Sequence, residues 1–493
     1  MPYEIDYLAL APELIIVATM LGVLALDLVL PRAQKYWTAS LAVAGSALAL
    51  LPLAILAVQG ETVSMFDGSY VVDEFALVLK GVFLVAAYVV FLMSHHYIES
   101  DRFYQGEYYF LLLTSVLGSL VMASSRDLIV LFIGLEMVTI PLFMLAGWRK
   151  GDVKSNEAAL KYFILGVLST AILLYGMSLL FGLTGEVTFA GIAEGTAGMS
   201  DEPILIMAIL FLMVGFGFKI SAVPFHFWAP DTYEGAPTPI TAYLSVNSKA
   251  AGFVAMLIVM YQALPDASDI WAPALWLLAA LSMTIGNLSA LRQTNIVRLL
   301  AYSSVAQAGF MLVPFAAAAV AGADLEEAFG ATLIYLVIYA VMNLGAFGVV
   351  IAGARRTRSG EIADWAGLAR VDPVLGVLVG VFFFSLAGIP PLAGWFAKFE
   401  MFRSVMIADP ATVSLAVIAA VNAVIAFYYY ARVIKSVWLD DPTREFADGA
   451  EAEPAGSLKL ALGIAVVLTL AIGIYPTIAT FVREAAQVLA TGG

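Results

Sequence analysis

Residues 216–253 read FGFKISAVPFHFWAPDTYEGAPTPITAYLSVNSKAAGF, and this segment sets the class of the protein. It is largely apolar, yet it contains two lysines, Lys219 and Lys249, and prolines at positions 224, 230, 237 and 239. Proline interrupts a helix because it lacks a backbone donor and clashes with the preceding turn. Broken helices inside a membrane are tolerated where they line a cavity or a water path. The segment therefore predicts interrupted membrane helices at a functional site.

The composition of the whole chain points to the same class. The chain has 493 residues, of which 62% are hydrophobic and 13% charged, and its mean hydropathy is +0.93. Soluble domains are about 45–50% apolar and about 25% charged. Apolar runs of about 20 residues recur along the chain, and each is long enough to cross a bilayer as a helix. The runs are continuous rather than alternating, so helices are favoured over a barrel.

These runs predict an all-α polytopic membrane protein with about 14 transmembrane helices, joined by short loops in a single integral domain over 1–493. The predicted spans lie roughly over residues 9–30, 37–58, 74–94, 108–124, 127–147, 157–182, 204–225, 236–261, 271–291, 296–319, 328–353, 373–405, 411–438 and 457–482. The N-terminal sequence MPYEIDY lacks a basic segment typical of a cleaved signal, so the first span is expected to be retained. The lipid bilayer is the expected partner, and no nucleic acid is expected.

Basic residues are concentrated in the loops that follow odd-numbered spans, which orients the chain with both termini outside. The main exception is Arg126. The loops after even-numbered spans are acidic or neutral. The basic residues are Arg32, Lys35, Arg102, Arg149, Lys150, Lys154, Arg292, Arg298, Arg355, Arg356, Arg358, Arg370, Arg432, Lys435, Arg444 and Lys459.

A second interrupted segment, FFFSLAGIPPLAGWFAKFEMF at residues 382–402, places Pro390 and Pro391 inside span twelve. Spans seven and twelve are an odd number of spans apart, so a five-helix unit repeated once would be inverted in the membrane. The expected organisation is an N-terminal group of three helices (1–107), a first five-helix repeat (108–261), a second (271–438) and a last helix (457–482).

Four charged residues lie inside apolar runs, and they are the candidate functional residues. Glu136, Lys219 and Lys249 lie near the middle of spans five, seven and eight, and Lys398 follows the proline break of span twelve. A charge in hydrocarbon costs about 2.5 kcal/mol or more. A lysine in an apolar setting can take up and release a proton near neutral pH, and a movable carboxylate changes its proton affinity. This pattern predicts a proton relay.

Other interpretations of these charges stay open. Glu136 and Lys219 can form a structural ion pair, although two lysines would then have no acidic partner. Lys398 can instead extend toward the lipid headgroups, because Glu400 and Arg403 lie near it in sequence.

Two further residues are candidate relay positions. Lys161 lies four residues after Glu157, so the two form either an ordinary helix pair or a site of proton uptake from the cytoplasm. His226 titrates near neutral pH and can pass protons between Lys219 and Lys249, or it is an interfacial residue beside Trp228.

Some polar residues have simpler interpretations. His95 and His96 are interpreted as interfacial. Lys80 and Asp27 are further charges within spans whose role is left open between functional and structural. A polar stripe on span ten is suited to ordering water; it consists of Tyr302, Ser303, Ser304 and Gln307. The chain has no cysteine, which excludes disulfides, iron–sulfur clusters and thiolate metal sites within it. Three histidines make a haem or a His-rich metal site a poor interpretation.

Three long motifs in the same order resemble the antiporter-like membrane subunits of respiratory complex I. They are KISAVPFHFWAPDTYEGAPTPITAYLSVNSKAAGF (219–253), TNIVRLLAYSSVAQAGF (294–310) and SLAGIPPLAGWFAKF (385–399). The resemblance extends over the whole chain in span number and broken helices. The N-type member is favoured, because span eight carries Lys249 and span twelve carries Lys398 where the M-type has glutamate. The long lateral helix of the L-type is absent from the sequence.

The resemblance implies a proton-translocating subunit of NADH:quinone oxidoreductase, a translocase in the inner membrane of a bacterial cell. Protons would pass along a hydrated midplane, driven by electron transfer from NADH to quinone in partner subunits. No cofactor is expected in this chain, whereas NADH, FMN, iron–sulfur clusters and quinone would be bound by partners. A neighbouring antiporter-like subunit and small membrane subunits are the implied contacts.

Residue by residue, the resemblance implies a role for each candidate. It makes Glu136 and Lys219 the paired charges, Lys249 the central lysine and Lys398 the outlet. It gives Lys161 and His226 accessory roles. Gln307 occupies a position where the family often has histidine, so a titrating role there is not expected.

Three other functions remain as alternatives. The chain could be a subunit of a multisubunit cation/proton antiporter, which shares this fold, or of a membrane-bound hydrogenase. It could also be a membrane scaffold in which the buried charges only fix helix packing.

Overall fold

The structure is a computed structural model that describes residues 5–31, 34–99, 106–321, 325–406, 410–447, 449 and 453–490. Arg32 and Arg102, two of the basic loop residues used to orient the chain, lie outside these residues. The helices of the first half are α1 Ala11–Val29, α2 Tyr36–Leu48, α3 Leu50–Gln59, α4 Glu74–Glu99, α5 Glu107–Ala123, α6 Leu128–Ala146, α7 Val153–Thr184, α8 Phe189–Thr196, α9 Pro203–Lys219, α10 Trp228–Gly235, α11 Thr238–Tyr243 and α12 Lys249–Ile258.

The second half continues in the same way. Its helices are α13 Ser268–Ala290, α14 Ile296–Ala321, α15 Leu325–Thr357, α16 Leu368–Val371, α17 Pro373–Ala387, α18 Ala393–Met406, α19 Pro410–Leu439, α20 Gly456–Ile474 and α21 Phe481–Ala490. π-helical turns at Leu244–Ser248 and Val259–Ala263 extend α11 and α12 into one span. A small antiparallel hairpin, β1 Val63–Met65 and β2 Tyr70–Val72, precedes α4 and pairs Val63 with Val72.

The predicted all-α polytopic membrane fold is confirmed. Among the described residues, 11 helices are long and apolar enough to cross a membrane, and three shorter apolar helices are Glu107–Ala123, Pro203–Lys219 and Pro373–Ala387. These shorter helices correspond to predicted spans four, seven and twelve. Two of the three end at a predicted proline break, which explains their length. The inverted five-helix repeat and the division into 1–107, 108–261, 271–438 and 457–482 stay predictions.

Local sequence signals explain where several helices begin and end. The side chain of Asp152 accepts a hydrogen bond from the backbone N–H of Lys154, so α7 begins at Val153, a few residues before the predicted span. Pro476 disfavours the helical conformation at Tyr475, whose φ is −126° and ψ 75°, and α20 ends at Ile474. The apolar run predicted to continue to residue 482 is therefore divided between α20 and α21.

The burial of the helices places Lys249 at the centre of the bundle. The span Thr238–Ala263, which carries Lys249, is buried along its most apolar window, and α14 and α15 are nearly so. Helices α1, α7 and α19 expose most of their apolar surface and form the periphery. The lysine of span eight is thus as far from lipid as this bundle allows.

Candidate functional site

The first part of the site is an ion pair between α6 and α9. Lys219 Nζ lies 3.2 Å from Glu136 Oε1 and donates a hydrogen bond of 2.6 Å to Thr139 Oγ1. Thr170 Oγ1 on α7 donates to the same Glu136 oxygen at 3.0 Å. The side chain of Lys219 is 3% exposed and that of Glu136 17% exposed. The predicted contact between Glu136 and Lys219 is therefore present, and Thr139 and Thr170 complete it.

The break in span seven fixes the position of this lysine. Helix α9 ends at Lys219, and the backbone turns at Ser221, whose φ is 59°. The Trp228 indole N–H donates to the carbonyl of Phe218 at 3.1 Å, which satisfies a carbonyl at the open end of the helix. On the neighbouring α12, a Cβ on Gly252 would lie 2.8 Å from Lys219 Cβ. Only a glycine lets α12 approach the broken end of α9 so closely.

The second part of the site is Lys249, at the beginning of α12 directly after a π-helical turn. Its Nζ donates to the carbonyl oxygen of Ser304 at 2.7 Å and to the Ser304 hydroxyl at 2.5 Å. Tyr339 on α15 donates to the same hydroxyl at 3.0 Å. Lys249 is 2% exposed. Among the described residues its contacts are neutral oxygens, so its environment differs from that of Lys219.

One turn along α14 from Ser304, Gln307 forms the third part. Its amide donates to the Leu386 carbonyl at 3.1 Å and to the Tyr430 hydroxyl at 3.3 Å. Its Oε1 accepts a hydrogen bond of 2.6 Å from Tyr335. Ser303 and Tyr430 also share a hydrogen bond. The polar stripe predicted on span ten therefore faces other polar groups, Lys249 of the first half at Ser304 and the tyrosines of the second half at Ser303 and Gln307.

Lys398 on α18 forms the fourth part, beyond the second break. Its Nζ donates to the Ala387 carbonyl at 2.6 Å and lies 5.2 Å from the centroid of the Phe310 ring. The break is made by Gly388, whose φ of 90° ends α17 and leaves this carbonyl free. The carbonyls contacted by Gln307 and Lys398 belong to adjacent residues, so both side chains meet the same helix end.

The ammonium of Lys398 points into the protein rather than toward headgroups. The nearby Glu400 bonds instead to Arg403, at 3.2 Å, and to Arg483. The contacts observed for Lys398 in the described residues are therefore the Ala387 carbonyl and the Phe310 ring.

Lys161 lies in a separate cluster of ion pairs. Its Nζ is 2.6 Å from Glu157 and 2.5 Å from Asp231 on α10, and its side chain is 42% exposed. Arg298, at the beginning of α14, contacts both Asp231 and Glu234 at 2.8 Å. Lys154 also contacts Glu234, at 2.6 Å. The cluster joins α7, α10 and α14 at one end of the bundle.

Electrostatics in this cluster favour the charged forms of its acids. In the sequence, Asp231 and Glu234 lie between the apolar helices Pro203–Lys219 and Thr238–Ala263, and so belong to neither. Partial burial alone would raise their pKa values, but hydrogen bonds from Lys161 and Arg298 hold the pKa of Asp231 below its usual range. Hydrogen bonds from Lys154 and Arg298 lower the pKa of Glu234 in the same way.

His226 lies in the break between α9 and α10. Its ring contacts that of Phe227 in a tilted arrangement with centroids 4.7 Å apart, and meets Tyr302 edge-on at 6.5 Å. Its Nδ1 is buried without a hydrogen-bond partner in the described residues. The structure places His226 beside the polar stripe of α14, but not in a direct hydrogen bond with Lys219 or Lys249.

Sequence reasoning missed a second buried ion pair. Lys80 Nζ lies 2.8 Å from Glu13 Oε1, and the Tyr70 hydroxyl donates to that oxygen at 2.8 Å. The sequence left the role of Lys80 open and did not identify its partner, because Glu13 lies on α1 and is remote in sequence. Thr139 was also missed, although it lies three residues after Glu136 and so on the same helical face. Asp27, whose role was likewise left open, pairs with Lys35 at 2.7 Å.

The described residues contain no group of three or more His, Asp or Glu side chains arranged to hold a metal ion. The site is thus built from lysines, carboxylates, hydroxyls, an amide and helix-end carbonyls.

Comparisons with known proteins show the family of this chain. Residues 125–425 match the family described as "NADH:quinone oxidoreductase/Mrp antiporter, TM". The NADH-quinone oxidoreductase subunit N of Moorella thermoacetica is 40% identical over 469 residues, which are 95% of this chain and 95% of that protein.

Solved structures extend the comparison to the fold. A chain of respiratory complex I from Thermus thermophilus is 32% identical, with a TM-score of 0.77 over 96% of this chain and 99% of that one. A chain of the Mrp complex from a Dietzia species has the same fold, with a TM-score of 0.85 over 98% of each chain, at 20% identity. The family match and the near full-length identity show that this chain belongs to the subunit N family of NADH-quinone oxidoreductases, whose members are antiporter-like membrane subunits.

Proposed function

We propose that this chain moves protons through Glu136, Lys219, Lys249 and Lys398, in that order along the interior of the bundle. As a member of its family, it is a proton-translocating, antiporter-like subunit of an NADH:quinone oxidoreductase. The observation that carries the proposed path is the set of contacts made by two lysines around α14. Lys249 bonds to Ser304 of that helix, and Lys398 bonds to the helix end that Gln307 also contacts.

The path begins at the ion pair. With Glu136 at 3.2 Å, the protonated form of Lys219 is stabilised. If Glu136 moves away, the Lys219 ammonium stays buried with the Thr139 hydroxyl as its remaining partner. A buried charge without a counter-ion is unfavourable by several kcal/mol, so the protonated form of Lys219 is destabilised. Separation of the pair would therefore release the proton from Lys219 toward the next group.

The proton would next pass to Lys249. The close approach of α12 at Gly252 to the broken end of α9 places the two lysine-bearing segments side by side. A water molecule can bridge polar groups that do not touch and is nearly as good as a direct hydrogen bond. His226, which lies in the same break, is an alternative bridge.

From Lys249 the path would follow α14 to Lys398. The Ser304 hydroxyl, bonded to Lys249 and Tyr339, can accept and donate protons. Gln307 does not ionise, so its proposed role is to order water between Ser304 and the end of α17, together with Tyr335 and Tyr430. Lys398 is then the last residue of the proposed proton path.

Lys161 is proposed to act where protons are taken up. The basic loops orient its end of the bundle toward the cytoplasm, with both termini outside. The contacts of Lys154 and Arg298 with Glu234 support this orientation, because they place two loops that follow odd-numbered spans on the same side. The exposed Lys161 with its carboxylate partners is thus a surface collection point rather than part of the buried path.

Electron transfer belongs to partner subunits in this proposal. NADH, FMN, iron–sulfur clusters and quinone would be bound there, and this chain would contact a neighbouring antiporter-like subunit and small membrane subunits in the bacterial inner membrane. A chain of an Mrp complex shares this fold at 20% identity. This likeness does not favour a cation/proton antiporter function, because antiporter subunits and complex I subunits have the same fold. The same holds for a membrane-bound hydrogenase.

The test replaces Lys249 with Met in the intact oxidoreductase reconstituted into vesicles. NADH-driven proton uptake is measured alongside NADH oxidation. Loss of a proton-transferring group costs about 100-fold or more in rate, so K249M should abolish uptake through this chain. The matched control is K435M, which removes an exposed lysine that pairs with Asp440 at 2.5 Å. Unchanged uptake in K249M, with the subunit fully assembled, would favour the scaffold alternative.

A further inference from the structure

A long apolar groove lies apart from the relay, between α3 and α4 on one side and α15, α20 and α21 on the other. Its volume is about 670 Å³. Its walls are almost entirely aliphatic, and examples from four of these helices are Leu53, Val85, Leu344 and Leu468. None of the six candidate relay residues lines it. The proton path therefore leaves this groove unexplained.

The dimensions of the groove fit one extended hydrocarbon chain. Along α4 it extends from Glu74 to Val89, which is about 22 Å at 1.5 Å per residue. One leaflet of a bilayer has about 15 Å of hydrocarbon, so a single acyl chain fits within this length. A helix of about 10 Å diameter and the same length would fill about 1,700 Å³. That volume is far more than the groove offers.

Two carboxylates stand at one end of the groove. Glu74 begins α4, and Glu484 lies on α21; both line the groove and both are exposed. Neither has an ion-pair or hydrogen-bond partner among the residues that the structure describes, and the adjacent Arg483 is paired with Glu400. Two unpaired carboxylates at one end of an apolar groove attract a cationic lipid headgroup and repel an anionic one.

We propose that this groove binds one acyl chain of a phospholipid whose headgroup ends in a primary ammonium group, as in phosphatidylethanolamine. The hydrocarbon lies between α3, α4, α15 and α20, and the ammonium faces Glu74 and Glu484. The lipid would lie beside the direct packing of α4 on α20 and α21, which already joins the N-terminal helices to the C-terminal ones.

The test uses the intact oxidoreductase in lipid nanodiscs and two photoreactive probes. One probe is phosphatidylethanolamine with a diazirine in its acyl chain, and the other is phosphatidylglycerol with the same chain. After illumination, labelled peptides are mapped by mass spectrometry. Labelling should fall on α3, α4 and α20, and phosphatidylethanolamine should label about two- to fivefold more than phosphatidylglycerol, since exposed ion pairs are weak.

Variants separate the headgroup from the chain. E74Q combined with E484Q should remove the preference between the probes but keep the labelling, whereas E61Q, an exposed carboxylate outside the groove, should change neither. A57W should fill the groove and remove labelling by both probes. Equal labelling by the two probes in the unchanged protein would overturn the headgroup assignment. Absence of groove labelling, or cross-links from the groove to a neighbouring subunit, would overturn the lipid site, and NADH oxidation confirms that each variant is assembled.

Discussion

The ammonium of Lys219 donates to the hydroxyl of Thr139 at 2.6 Å, a shorter contact than its 3.2 Å separation from Glu136. Thr139 lies on the same helix as Glu136 and also donates to the Leu135 carbonyl. The lysine is therefore held by a neutral group as well as by its counter-ion. This arrangement lets Lys219 keep its position when the ion pair separates.

Replacing Thr139 with Val removes the hydroxyl while keeping the shape of the side chain. One hydrogen bond is worth about 0.5–1.5 kcal/mol, which corresponds to about a two- to tenfold decrease in rate. We expect T139V to slow NADH-driven proton uptake by that factor. The control is T469V, a buried threonine whose side-chain bond among the described residues is to Ala465 of its own helix. Equal effects of the two variants would show that Thr139 has no special role.

Gln307 is expected to matter as a hydrogen-bonding group rather than as a titrating one. Q307L would leave the Tyr335 hydroxyl without its acceptor. We expect this to lower the free energy of unfolding by about 1–3 kcal/mol, and we expect Q307L to lose proton uptake as well. Q307H keeps a polar ring at the site and should retain uptake. Thermal unfolding of the purified oxidoreductase and vesicle uptake assays measure both effects. Full uptake in Q307L would remove Gln307 from the path.

Gly252 is expected to control the distance between α9 and α12. In G252A the new methyl would lie 2.8 Å from Lys219 Cβ, and such overpacking costs about 1–3 kcal/mol. We expect lower thermal stability and slower proton uptake, because Lys219 is displaced. G463A on α20 is the control, since a Cβ there meets nothing within 4 Å. If G252A matched G463A in both measurements, the proposed contact would be wrong.

The cluster around Asp231 should make stability depend on acid pH. The pKa of Asp231 is lower in the folded protein than in the unfolded chain, where it is near 3.8. The stabilising effect of the Asp231 carboxylate is therefore present above the unfolded pKa and is lost as the pH falls through the folded pKa. The difference in thermal midpoint between the unchanged protein and D231N should therefore be constant above about pH 4 and shrink below it. A difference that grew on acidification would contradict the assignment.

The sequence predicted the fold more completely than the site. Hydrocarbon thickness fixes span length, and the prolines indicated both breaks, so α9 and α17 end within a few residues of them, although Gly388 rather than a proline ends α17. The pairing of Glu136 with Lys219 was offered as one interpretation of the buried charges and was implied by the resemblance to the complex I subunits. The partners of Lys249 and Lys398 are a hydroxyl and a backbone carbonyl, and their positions depend on how helices rotate against one another.

Other contacts could not be predicted from the sequence for the same reason. Lys161 was paired in sequence with Glu157, but its second partner, Asp231, lies on a short helix whose placement follows from the break in span seven. Glu13 and Lys80 meet only because the β1–β2 hairpin and α1 pack on α4. Hydropathy gives depth in the bilayer, but not which neighbours a polar side chain meets at that depth.

The most direct test of the relay is the position of ordered water in a high-resolution cryo-electron microscopy map of the assembled oxidoreductase. The account predicts water molecules that bridge Lys219 to Lys249, and Ser304 and Gln307 to Lys398, in one continuous row. A dry, closely packed interior between any two of these lysines, with each held only by protein groups, would contradict it.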